Sequence, residues 1–103
     1  MKWQVEFYKT VDNKEPVKDW LDTFDLKIRT KIQKHFDRLE RKRLNLKHPF
    51  IRHLETQLYE INILDEKRIF KIIFFPNAER KLILLHGFIK NISRKNIEQK
   101  LVA

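Results

Sequence analysis

The sequence contains no cysteine, one glycine and three prolines in 103 residues. Without cysteine, disulfides, thiolate nucleophiles and cysteine-bound zinc are excluded. A single glycine rules out a glycine-rich phosphate loop, and no His-Glu zinc motif is present. The scarcity of glycine and proline also argues against linkers and low-complexity tails, and disorder is expected only in the last few residues. No internal repeat is visible. No apolar run approaches the roughly 20 residues of a membrane span, and Met1-Lys2-Trp3-Gln4 does not open a signal peptide. The expected address is the cytoplasm.

Acidic residues are also in short supply, with 14 Asp and Glu against 23 Lys and Arg, a formal net charge of +9. Such an excess points to a polyanionic partner, through counterion release and long-range attraction. A chain of this length forms one domain, residues 1–103, with a modest core.

The apolar pattern changes period along the chain. Trp3, Val5 and Phe7 alternate with polar residues, as in an opening strand. Asp12-Asn13-Lys14-Glu15 makes a turn, and Pro16 suits the first position of a helix. Val17, Trp20, Leu21 and Phe24 then form one helical face. Asp25 is placed to cap a longer helix reaching about Asn45, with Ile28, Ile32, Phe36, Leu39 and finally Leu44 turned inward. Three strands follow in 58–63, 68–75 and 81–88, broken at Asp65-Glu66-Lys67 and Pro76-Asn77-Ala78. Ser93 can cap a last short helix in which Ile97 and Leu101 share a face. The order β-α-α-β-β-β(-α) predicts an α+β fold, with a helical hairpin packed on one face of a twisted, mainly antiparallel sheet. The other face stays partly open.

Cations concentrate in two places. The second helix and the segment after it carry Lys27, Arg29, Lys31, Lys34, Arg38, Arg41, Lys42, Arg43, Lys47 and Arg52. The second half adds Arg68, Lys71, Arg80, Lys81, Lys90, Arg94, Lys95 and Lys100. The helix could be a solvated face or a stripe that tracks phosphates.

Once the excluded classes are removed, the chemistry left for such residues is RNA cleavage without a metal or cofactor. The ribose 2′-hydroxyl attacks the adjacent phosphate, leaving a 2′,3′-cyclic phosphate and a 5′-hydroxyl. The reaction needs a base, cations for the growing charge, and an acid for the leaving oxygen. Lys71 interrupts an apolar strand and faces the side opposite Phe70, Ile72 and Phe74. It is the first candidate, with a snorkelling edge lysine as the alternative. His86, beside Gly87, is a candidate acid, base or RNA contact, or a structural histidine. Lys90 and Arg68 are candidate phosphate ligands, though Arg68 could instead pair with Asp65 or Glu66. Tyr59 offers a ring for base stacking or core filling. Asn62, Arg52 and His53 near the rim, with Arg94 and Lys95 after the last strand, complete the candidate RNA contacts; His48 is a weaker rim candidate and His35 reads as structural.

Leu54-Glu55-Thr56-Gln57-Leu58-Tyr59-Glu60-Ile61, Phe70-Lys71-Ile72-Ile73-Phe74-Phe75 and Leu84-Leu85-His86-Gly87-Phe88-Ile89-Lys90-Asn91 resemble the HigB branch of the RelE/ParE toxin superfamily, often described as phage-derived. Trp3-Gln4-Val5-Glu6-Phe7-Tyr8, Pro16-Val17, Trp20-Leu21-Asp22 and Leu26-Lys27-Ile28-Arg29 agree with that group. The resemblance implies the compact RelE-like fold and the toxin of a type II toxin–antitoxin pair. It further implies cleavage of mRNA in the ribosomal A site and neutralisation by a helix-turn-helix, HigA-like antitoxin. The chain departs from the family pattern at three places: Asn62 and Lys71 stand where arginine is usual, and Thr56-Gln57 replaces a glycine. The alternatives are a ParE-like gyrase poison and a non-catalytic homologue that binds RNA or antitoxin.

Overall fold

Alternation in the opening segment produces β1 (Gln4–Phe7), and Pro16 starts α1 (Pro16–Leu21), as its fixed φ and missing N–H allow. The computed structural model describes residues 3–41 and 50–92. Phe24 lies beyond α1 in the following turn, yet it still packs edge-on against Trp20 at 5.0 Å and Phe70 at 5.1 Å. Asp25 caps α2 (Leu26–Arg41), its Oδ1 accepting the Ile28 N–H at 3.0 Å. Ile28, Ile32, Phe36 and Leu39 of α2 are buried, matching the expected stripe. The expected end of this helix near Asn45 and its Leu44 lie outside the described residues, as does the helix capped by Ser93.

Four strands follow rather than three: β2 (Ile51–Glu55), β3 (Leu58–Asp65), β4 (Arg68–Pro76) and β5 (Lys81–Asn91). The sheet order is β1-β5-β4-β3-β2, with β1 parallel to β5 and every other pair antiparallel. The extra strand escapes a reading by periodicity because only Ile51 of its five residues is buried. The last strand is also longer than expected, so His86 sits in its middle and Lys90 within it.

Ile61, Ile63, Phe70, Ile72, Phe74, Leu82 and Leu84 meet the helices in one core. Gly87 belongs to this face too: a Cβ there would come within 2.4 Å of Cζ3 of Trp20. The indole of α1 therefore lies directly on the β5 backbone, an approach that only glycine permits.

β5 carries one irregularity on which the site depends. Its register with β4 steps from Ile73↔His86 to Phe74↔Leu84, leaving Leu85 as an extra residue. Without this bulge, His86 and Phe88 would share the parity of Leu82 and Leu84 and point into the core. With it, Gly87 and Ile89 pair with Ile72 and Phe70 on the helical side, and His86, Phe88 and Lys90 turn to the open side.

Candidate functional site

The open face of the sheet is built from alternate residues of its strands. β4 contributes Ile69, Lys71 and Ile73, β3 contributes Glu60, Asn62 and Leu64, and β5 contributes His86, Phe88 and Lys90. Lys71 is central, between Asn62 on β3 and Phe88 on β5. Glu60, Ile73 and His86 make the next cross-strand row, and Leu64, Ile69 and Lys90 the row on the other side.

Lys71 is not a free cation. Its Nζ donates to Glu60 Oε1 at 3.1 Å and to Asn62 Oδ1 at 2.7 Å. The lysine side chain is 14% exposed and that of Glu60 7%, so the ion pair is largely withdrawn from water. A carboxylate so placed is worth holding only with a partner, because an unpaired buried charge is costly. Glu60 is buried although it stands on the open face, and sequence reasoning passed over it. The signal that could have found it was its parity with Asn62 on the strand next to Lys71.

His86 is exposed, and its ring stacks on Phe88 at 5.7 Å and 29°. Phe88 remains 37% exposed, an aromatic surface directly across from Lys71. Lys90 is exposed two residues further along β5. Arg52 joins this face from β2, where it pairs in register with Glu60 and points to solvent. Lys71, His86, Lys90, Asn62 and Arg52 are thus brought together on one surface.

Three other candidates lie on the helical side. Arg68 reaches Asp65 Oδ2 at 3.4 Å and sits over the Phe70 ring at 5.1 Å. Asp65 also accepts from Lys31 Nζ of α2 at 3.1 Å. That lysine hydrogen bond, with the lysine charge and then Arg68 adding to it against the opposing effect of burial, holds the Asp65 carboxyl below its ordinary value. Asp65 therefore links Lys31 of α2 to Arg68 of β4, and Arg68 does not face Lys71. Tyr59 stacks on Phe74 at 5.9 Å and meets His53 at 5.0 Å, both on the core side. The His53 Nε2 lies 2.7 Å from the Thr56 carbonyl oxygen, which ties that imidazole to the β2–β3 turn. His35 on α2 packs edge-on against Phe50 at 5.5 Å. Arg94, Lys95 and His48 lie outside the described residues.

Among the described residues no group of three or more His, Asp or Glu side chains is placed to hold a metal ion, and no helix is long and apolar enough to cross a membrane. The arrangement that exists is an acid–base surface: a shielded carboxylate and amine, an exposed imidazole, two further cations and an aromatic ring.

Among the described residues, a mixed five-stranded sheet with two helices on one face is consistent with a RelE-like α+β fold. Over residues 19–103 the sequence matches the family described as phage-derived protein Gp49-like (DUF891), and the chain belongs to that family, which is RelE/toxin-like. No curated protein matches the chain. Membership is consistent with the toxin of a toxin–antitoxin system.

Proposed function

We propose that this protein is the toxin of a type II toxin–antitoxin pair and acts as a ribosome-dependent endoribonuclease on translated mRNA. The observation that carries the reading is the convergence of Lys71, His86 and Lys90 on one sheet face, achieved through the Leu85 bulge. The ribose-phosphate backbone lies across β3, β4 and β5. Glu60 takes the 2′-hydroxyl proton, the oxygen attacks phosphorus, and the bond to the 5′-oxygen breaks with its electron pair on that oxygen. His86 delivers the proton that completes the 5′-hydroxyl. Glu60 and His86 stand about 10 Å apart at the backbone, two strand spacings, which leaves room for a phosphate between their side chains. Lys71 and Lys90 stabilise the charge on the phosphate oxygens. The ribosome orients the mRNA, so the protein's own contacts need not do all the positioning.

A family of this kind implies an antitoxin partner; a helix-turn-helix, HigA-like protein encoded beside it is the form proposed here. A second reading is favoured by one observation, the pairing of Lys71 with Glu60 and Asn62, which already satisfies the amine. On that reading the chain is a non-catalytic homologue that binds RNA or antitoxin. Induction in growing cells with mapping of mRNA 5′ ends separates the two. Cuts within translated codons bearing 5′-hydroxyl ends are expected; growth arrest with intact mRNA, or no arrest, contradicts the nuclease reading.

A further inference from the structure

We infer that the outward face of α2 is a second docking surface, for the phosphate backbone of a helical RNA, distinct from the open sheet face. The inference concerns binding alone and does not rest on the cleavage reading. Lys27, Lys31, Lys34, Arg38 and Arg41 recur at alternating steps of four and three along α2. At 3.6 residues per turn they fall in one stripe about 80° wide, and at 1.5 Å per residue the stripe runs about 21 Å. The buried residues Ile28, Ile32, Phe36 and Leu39 occupy the other side of the helix.

The stripe is compensated at Lys31 alone among the described ion pairs. Lys27, Lys34, Arg38 and Arg41 are exposed, and among the described residues none of the four has an ion-pair partner. Lys31 is tied to Asp65 at 3.1 Å, and Arg41 Nε donates to the Asp37 carbonyl oxygen at 3.4 Å, a neutral acceptor that leaves the guanidinium charge unpaired among the described residues. The acidic residues of the helix sit off the stripe and are engaged elsewhere: Asp37 accepts from Gln33 at 3.0 Å, and Glu40 accepts the Val5 N–H at 2.9 Å. Along the stripe itself every i,i+3 and i,i+4 neighbour carries the same sign, with Asp37, four residues before Arg41, the acidic residue beside it.

The chemistry favours nucleic acid over protein. The stripe includes no apolar or aromatic side chain, while protein interfaces are built on such anchors and are depleted in lysine. Rows of lysine and arginine without an anchor are what phosphate contacts use. A straight, preformed ridge suits the rigid phosphate rows of a helix better than a strand that must first be ordered. The sheet itself stands between α2 and Lys71, so the RNA on this ridge is a different segment from one lying on the open face.

The test is binding of a labelled RNA hairpin to the full chain across a salt series. The variant Lys27→Gln/Lys34→Gln/Arg38→Gln/Arg41→Gln should retain its circular dichroism and Tm, because all four side chains are exposed. Its slope of log K against log salt should be shallower by about 3.6, at about 0.9 for each lost phosphate contact. Arg38→Gln alone should shift the slope by about 0.9, which keeps the test valid if the fourfold variant misfolds. Lys9→Gln/Lys14→Gln/Arg80→Gln, which removes exposed charge away from α2, should leave the slope as in the wild type. An unchanged slope in the α2 variants, an equal loss in the control, or displacement of the hairpin by polyglutamate at equal charge would overturn the inference. Stripe-dependent hairpin binding by a protein that cuts no mRNA would sustain it while the nuclease reading fails.

Discussion

At Lys71 the sequence shows a cation in an apolar strand, but not the two acceptors that hold it. Periodicity gives the face on which a side chain stands; it does not give the register between strands, which decides that Glu60 and Asn62 are the neighbours. Asn62 is informative here, since it occupies a position where the resembling toxins have arginine. In this chain it is a neutral acceptor for the amine at 2.7 Å. Truncating Lys71 to alanine strands the Glu60 carboxylate and is expected to cost about 3–5 kcal/mol of stability, as for other broken buried pairs. Lys71→Gln/Glu60→Gln removes both charges and should unfold much closer to wild type by urea titration. A second residue-level prediction concerns Thr56, which has φ 41° in the β2–β3 turn. A β-branched residue is strained in that region, and the resembling family places glycine in this turn. Thr56→Gly should raise the unfolding free energy by roughly 1 kcal/mol. Gly87→Ala should do the reverse, by about 1–3 kcal/mol, because the methyl group meets the Trp20 ring.

Elements were legible in the sequence where one face is buried and illegible where neither is. Both helices, the opening strand and the three apolar strands follow from their stripes, whereas β2, with one buried residue in five, has no such signature. The Leu85 bulge is likewise invisible to alternation, because Leu82, Leu84, His86 and Phe88 read as one continuous face. The helical hairpin is also fastened to the sheet electrostatically, through Asp65 between Lys31 and Arg68. The folded-state pKa of Asp65 is depressed, so the stability it contributes is complete above the unfolded value near 3.9 and is lost as pH falls through the lower folded value. Asp65→Asn should therefore lower stability at neutral pH by about 1–2 kcal/mol and flatten the acid limb below about pH 4. Thermal unfolding between neutral and acid pH measures both effects.

Among the described residues, the helices cover one side of the sheet and neither covers the opposite side. Arg68, Tyr59 and His53 fall on the covered side, while exposed cations stand on the open sheet face (Arg52, Lys90) and on the outer surface of α2 (Lys27, Lys34, Arg38, Arg41). The charge excess was plain from composition, but which of these cations share a face depends on which strands are neighbours. The central claim is that the open face performs the chemistry, and the exposed His86 allows it to be tested without disturbing the core. The decisive measurement is the rate at which the purified protein cuts mRNA on programmed ribosomes, compared with His86→Ala at matched Tm. Cleavage leaving 5′-hydroxyl ends, slowed at least about 100-fold in the variant, is the predicted result. Cleavage by His86→Ala at the wild-type rate, or none by the wild-type protein, would contradict it.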